Sequence, residues 1–202
     1  MHAREAQTAG AQAPGAVRRG RRLGVDVGAV RVGVALSDPE GILASPLTTL
    51  ERDPRKGFDI KLAANLVHEH EVVEVVVGLP LALSGRTTDS TRSAVSWAQG
   101  LQRRLAAKGW SVPVRMIDER WTSSESHRSL LEAGVSRREH RDKIDRQAAV
   151  TILEAALSMI HRSGGPAGVE VPPIDGAEAG SADHPTPAAS SETGAHSEGD
   201  LS

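Results

Sequence analysis

Apolar and polar positions alternate with a period of two from Leu23 to Asp38, in the stretch LGVDVGAVRVGVALSD. Successive strand residues point to opposite faces. Leu23, Val25 and Val27 therefore share one face, and Gly24, Asp26 and Gly28 the other. Gly33 and Ala35 keep one side of the second half equally small. The pattern predicts two strands, about 23–29 and 31–37, joined by a tight turn. Asp26 then stands alone on a face stripped of bulk, which suits the close approach of a charged group to the backbone. The plainer reading is a surface aspartate on an edge strand, with Gly28 serving only the turn.

The rest of the chain alternates between the two periods. Asp38-Pro39-Glu40-Gly41 has turn composition, and a third strand is expected at about 42–50. Phe58, Leu62 and Leu66 lie at helical spacing within Lys56–His70. The nearly unbroken apolar run VVEVVVGL at 72–79 predicts a buried strand that Pro80 ends. Ala94, Trp97, Leu101 and Leu105 predict a helix over about 89–108, capped by Asp89 or Ser90 and closed by Gly109. A strand is expected at 112–117, then a helix from Thr122 or Ser123 to about Ala133. A basic loop, SRREHRDK, follows at 136–143, and a last helix at about 143–161 carries Ile144, Ala148, Ile152, Ala156 and Met159. Three short-linked strands make an antiparallel meander. The alternation after it adds parallel strands, so the expected architecture is α/β: a five-stranded mixed sheet with helices on both faces.

Charge divides the chain differently. All 24 Lys and Arg lie at or before Arg162, against 19 acids, so residues 1–162 carry a net +5; seven acids follow and the tail carries −7. A basic body suits a polyanion, although +5 is also compatible with an ordinary solvated surface. Residues 1–22 read as a disordered basic N-terminal arm, 23–162 as the folded domain, and 163–202, rich in Gly, Pro, Ala and acids, as a disordered acidic tail. The absence of cysteine excludes disulfides, thiolate metal sites and a cysteine nucleophile. No apolar run approaches the ~20 residues that span a bilayer, and the N-terminus lacks a signal-peptide core. A cytoplasmic protein is expected. With Phe58, Trp97, Trp110 and Trp121 as the whole aromatic complement, a base-stacking platform is disfavoured.

Sites in such sheets gather at the carboxyl ends of the strands. That singles out Asp26, the Gly78–Leu81 turn, and Asp118 with Glu119. Asp145 joins them, because an aspartate beside Ile144, Ala148 and Ala149 on a helix facing a sheet needs a partner. Three converging carboxylates cannot all ionise in a dry pocket without a cation. Mg²⁺ or Mn²⁺ prefers such oxygen ligands, and two ions ~3.5–4 Å apart can cleave a phosphodiester. The plainer readings are a helix cap for Asp145 and ion pairs of Glu119 with Arg120 or Arg115. Asp118 and Glu119 point to opposite faces of a strand. Glu119 is favoured as the inward one, since Asp118 can bond back to nearby backbone or to Thr122. His68 and His70 do not share a helix face, and neither G-x-S-x-G nor a P-loop is present.

Four blocks in order resemble one family: GVDVGAVRVGVALSD at 24–38, GLPLALSG at 78–85, DERWTS at 118–123 and KIDRQAAVTILEA at 143–155. The chain is similar over about 23–161 to the YqgF (RuvX) family of RNase H-like pre-16S rRNA nucleases, relatives of RuvC Holliday-junction resolvases. Val30 stands where members often carry a basic residue, and Trp121-Thr122-Ser123 where Leu-Thr-Thr is usual. Both departures concern substrate contacts and leave every carboxylate in place. The resemblance implies an RNase H-like fold, a carboxylate set of Asp26, Asp118–Glu119 and Asp145, and Mg²⁺- or Mn²⁺-dependent 5′-end maturation of precursor 16S rRNA. Arg31, Arg86, Arg120, Arg137, Arg138, Arg141 and Lys143 are available to hold phosphates. The competing expectations are a Holliday-junction resolvase acting on branched DNA, a non-catalytic RNA-binding ribosome-assembly factor, and an actin-like ATPase, which needs two such domains. A monomer or a homodimer, without membrane contact, is expected.

Overall fold

The computed structural model describes residues 17–121 and 137–171, and for 121 and 137–144 the backbone alone. The strands are β1 (Arg22–Val27), β2 (Arg31–Ser37), β3 (Ala44–Glu51), β4 (Glu74–Leu79), β5 (Val114–Asp118) and β6 (Val169–Glu170). The helices are α1 (Phe58–Glu69), α2 (Asp89–Ala107) and α3 (Arg137–Ser163), with a 3₁₀ turn at Glu119–Trp121. The sheet order is β3-β2-β1-β4-β5-β6. β1, β4 and β5 run parallel, β1-β2-β3 form the expected meander, and β6 returns antiparallel along β5.

The two faces of the sheet follow the alternation. Leu23, Val25, Val75, Val77, Val114 and Met116 pack under α1 and α2, against Val67, Trp97, Leu101 and Leu105. The opposite face carries Ala35, Val76 and Ile117 and takes α3 through Ala149, Ile152, Leu153, Ala156 and Leu157. Glycines let α3 come close. A Cβ on Gly24 would lie 2.6 Å from Leu153 Cβ, and one on Gly33 would collide with the carbonyl oxygen of Asp145. Helices thus cover both faces, as expected, and among the described residues no helix is long and apolar enough to cross a membrane.

Four local expectations are corrected. Among the described residues the sheet has six strands, because the supposed tail begins later than 163. Ala167 and Val171 are buried, and Arg115 donates from Nε to the carbonyl of Ala167 (2.8 Å) and from Nη2 to that of Gly168 (3.0 Å). Gly/Pro-rich composition hid two anchoring apolar side chains there. At the other end Arg22, assigned to the arm, is the first residue of β1. It is buried, with Nε 2.8 Å from Glu74 Oε2 and its backbone N–H donating to Ser37 Oγ. α2 is capped one residue earlier than expected, by Thr88 in a reciprocal pair with Thr91. The basic stretch expected as a loop belongs to α3 from Arg137 onward. Arg, Lys and Glu are good helix formers, and nothing after Gly134 interrupts them. The helix expected over 122–133 and the disorder expected over 1–16 and 172–202 lie outside the described residues.

Candidate active site

Asp26 is the fifth residue of β1, on the glycine face, and its register partner on β2 is Gly33. The parallel register of β4 and β5 pairs Leu79 with Asp118, so the carboxyl ends of these strands and of β1 form one edge. Here the valine run of β4 gives way to Gly78. A Cβ at that position would meet the carboxylate of Glu119 on one side and Ile152 Cδ1, 2.6 Å away, on the other. Glycine at 78 is therefore what admits the Glu119 side chain onto the α3 face.

The neighbouring pair at 118–119 splits as anticipated. Asp118 turns back on the chain after it. Its Oδ1 accepts the backbone N–H of Arg120 at 3.0 Å, and its Oδ2 accepts Arg120 Nη2 at 2.6 Å. The Arg120 guanidinium holds the Asp118 carboxyl below its usual range. Glu119 faces the other way. Burial first, then the charges of Asp26 and Asp118, push its carboxyl up to about 7. Asp26 and Glu119 thus interact as like charges in a partly desolvated pocket. Such a shift, from burial plus a specific charge partner, marks the pair as a candidate site.

Asp145 arrives differently from expectation. The backbone of α3 rests on Gly33, beside Asp26, but the Asp145 carboxylate is engaged by Arg31, with Nε 2.6 Å from Oδ2. Among the described residues no group of three or more His, Asp or Glu side chains is placed to hold a metal ion. The structure therefore joins Asp26 to Glu119 and leaves Asp145 next to them in an ion pair, rather than bringing all three together. The donor set still fits a hard divalent cation. Its atoms are carboxylate oxygens, and the mutual repulsion of Asp26 and Glu119 is the kind a cation relieves.

The predicted phosphate-binding residues divide too. Arg31 pairs with Asp145, and Arg120 with Asp118. Arg86 is exposed in the turn after β4, closed by Ala82 N–H donating to the Arg86 carbonyl at 3.1 Å. That turn abuts the site: a Cβ on Gly85 would lie 3.6 Å from Arg120 Nη1. The side chains of Arg137, Arg138, Arg141 and Lys143 lie outside the described residues, but their backbone opens α3, two to eight residues before Asp145. What sequence reasoning missed is the role of Gly78, whose signal was the break in the valine run, and the Arg31–Asp145 pair. No local pattern links two residues 114 positions apart.

Comparison with known proteins places the chain among its relatives. A family model described as "RuvX: Holliday junction resolvase" matches residues 20–159. A protein of Mycobacteroides abscessus named "Putative pre-16S rRNA nuclease" is 51% identical over 146 residues, covering 72% of this chain and 86% of its own. A protein of the same name from Mycolicibacterium smegmatis is 50% identical over 150 residues, covering 73% and 84%. Among solved structures, T. thermophilus RuvC in complex with a Holliday junction substrate superposes with a TM-score of 0.50 at 14% identity, over 73% of this chain and 98% of that one. That likeness shows the RNase H-like fold alone. The match of the family model to residues 20–159, which include β1 to β5 and most of α3, together with relatives at half identity, shows that this chain belongs to the RuvX (YqgF) family.

Proposed function

We propose that this chain is a divalent-metal-dependent nuclease that hydrolyses phosphodiester bonds in precursor 16S rRNA during maturation of its 5′ end. The observation that carries the reading is the Asp26–Glu119 pair: two carboxylates on the glycine face, at the carboxyl ends of β1 and β5, one of them pushed up to about 7. Asp26, Glu119 and, after leaving Arg31, Asp145 would hold Mg²⁺ or Mn²⁺, as two ions in the fullest form. Such ions supply an activated water and stabilise the leaving oxygen in phosphodiester cleavage. Asp118 serves a different purpose. By fixing Arg120 it orients a guanidinium beside the turn that carries Arg86, where both can meet phosphate oxygens.

The curated relatives carry a pre-16S rRNA nuclease name, which supports RNA as the substrate. The family description keeps branched DNA as a second reading. One comparison separates them: a 5′-extended 16S precursor and a four-way DNA junction, each at matched concentration with Mg²⁺ or Mn²⁺. The expected outcome is trimming of the precursor with little cutting of the junction. The reverse preference would assign the site to junction resolution. Binding of the precursor with no cleavage of either substrate would make the chain an assembly factor on a nuclease fold.

A further inference from the structure

The pair between Arg31 and Asp145 has no part in the carboxylate site as the sequence implies it, yet it occupies one of that site's ligands. Arg31, Gly33 and Ala35 alternate onto the β2 face that meets α3. The carbonyl of Asp145 is seated on Gly33, the register partner of Asp26. Adjacent strands place paired residues about 5 Å apart, so the backbone of Asp145 is anchored about one strand spacing from Asp26. Its carboxylate, however, is held two residues along β2, toward the hairpin turn, by Arg31 Nε at 2.6 Å. Both side chains stay partly open to water, at 21% and 27% exposure, so an ion in solution can reach them.

We infer that Arg31 is a built-in counter-cation for Asp145 that a divalent ion must displace, making it a positioning residue that sets the affinity of the site for metal. The inference rests on the proposed reading of Asp145 as a metal ligand. Arginine keeps its charge at all working pH values and binds carboxylates in a fixed geometry. It relieves the charge of Asp145 as a metal would, so the two cations compete for one carboxylate. Because Gly33 pins the backbone, the exchange requires only rotation of the Asp145 side chain, not movement of α3. The displaced guanidinium then lies at the edge of the site, where the phosphate backbone of a substrate can approach it. Metal loading and substrate binding are coupled through this one side chain, and such coupling is reciprocal.

The test measures Mn²⁺ binding without nucleic acid, by the loss of the free-ion EPR signal, on the full chain. The proteins are wild type, Arg31→Gln, Arg31→Lys, Asp145→Asn and the Arg31→Gln/Asp145→Asn double variant, each checked for folding by its melting curve. Arg31→Gln is expected to bind Mn²⁺ about tenfold more tightly, about 1.4 kcal/mol. Arg31→Lys, which keeps the charge, stays within about threefold of wild type. The gain from Arg31→Gln disappears in the Asp145→Asn background, as a direct coupling requires. Unchanged or weaker Mn²⁺ binding by Arg31→Gln would overturn the inference, and so would a gain that persists undiminished with Asn at 145. If Asp145→Asn alone binds Mn²⁺ as tightly as wild type, Asp145 is not a ligand. The failure then belongs to the metal-site reading itself.

Discussion

Replacing Glu119 with glutamine is expected to stabilise the metal-free protein while removing its nuclease activity. In the folded chain burial and the charges of Asp26 and Asp118 push the Glu119 carboxyl up to about 7, well above the value it takes in an unfolded chain. The native state therefore binds the proton more tightly, and stability falls as pH rises from about 4.5 to about 7. Above that window the full cost of an ionised, half-buried carboxylate is present. With partial exposure taken into account, it amounts to about 1–2 kcal/mol. Glutamine keeps the shape and loses the charge. In EDTA at pH 8 the variant should melt about 3–6 °C higher than wild type, and the two curves should converge toward pH 4. In Mg²⁺ the order narrows or reverses, because only the wild type gains from binding the ion. Cleavage should fall by about 10³-fold, in line with the loss of one charged group from a site that stabilises a transition state. A glutamine variant no more stable than wild type at pH 8 in EDTA would mean that Glu119 is not held buried beside Asp26 as an ionised group at a cost.

The second large effect belongs to Gly33→Ala, which should cost about 2 kcal/mol, or roughly 4–8 °C in melting temperature. The added methyl group would collide with the carbonyl oxygen of Asp145 and sit 3.2 Å from the Arg146 nitrogen. Both are backbone atoms of α3 and cannot swing aside. Relief requires α3 to lift from β2, which separates Asp145 from Asp26, so activity falls together with stability. Gly165→Ala is the control. Its Cβ would meet nothing nearer than Ser163 Oγ at 3.8 Å, and the expected change is within about 0.5 kcal/mol. Equal stability of the Gly33→Ala variant and wild type would show that α3 does not rest on β2 at this point.

The same glycine and carboxylate positions mark how much of the site is legible in the amino-acid sequence. The alternation through β1 puts Asp26 on a bare face, and Gly33 keeps the neighbouring strand equally bare. The turn-forming habit of aspartate separates Asp118 from Glu119, and the Asp118–Arg120 bonds are its physical form; strand parity does not act here, because β5 ends at Asp118 and Glu119 opens a 3₁₀ turn. Illegible features are of two kinds. Composition misleads where a few side chains outweigh it, as Ala167 and Val171 do in drawing a Gly/Pro-rich stretch into a sixth strand. Arg22 misleads in the same way, since its basic neighbours suggest an arm while Glu74 holds it buried in the sheet. The other kind is long-range pairing. Two residues 114 positions apart on β2 and α3 meet only because glycines let the helix settle, and no local pattern announces that contact.

The nuclease reading stands or falls on Asp26, the carboxylate common to every form of the site considered. The most direct measurement is the rate of cleavage of a 5′-extended 16S precursor by wild type and by Asp26→Asn, with Mg²⁺ or Mn²⁺ and with EDTA. Divalent-dependent trimming by wild type is predicted, falling by about 10³-fold or more in the variant while its fold and RNA affinity are retained. Trimming that survives either EDTA or the loss of the Asp26 charge would contradict it.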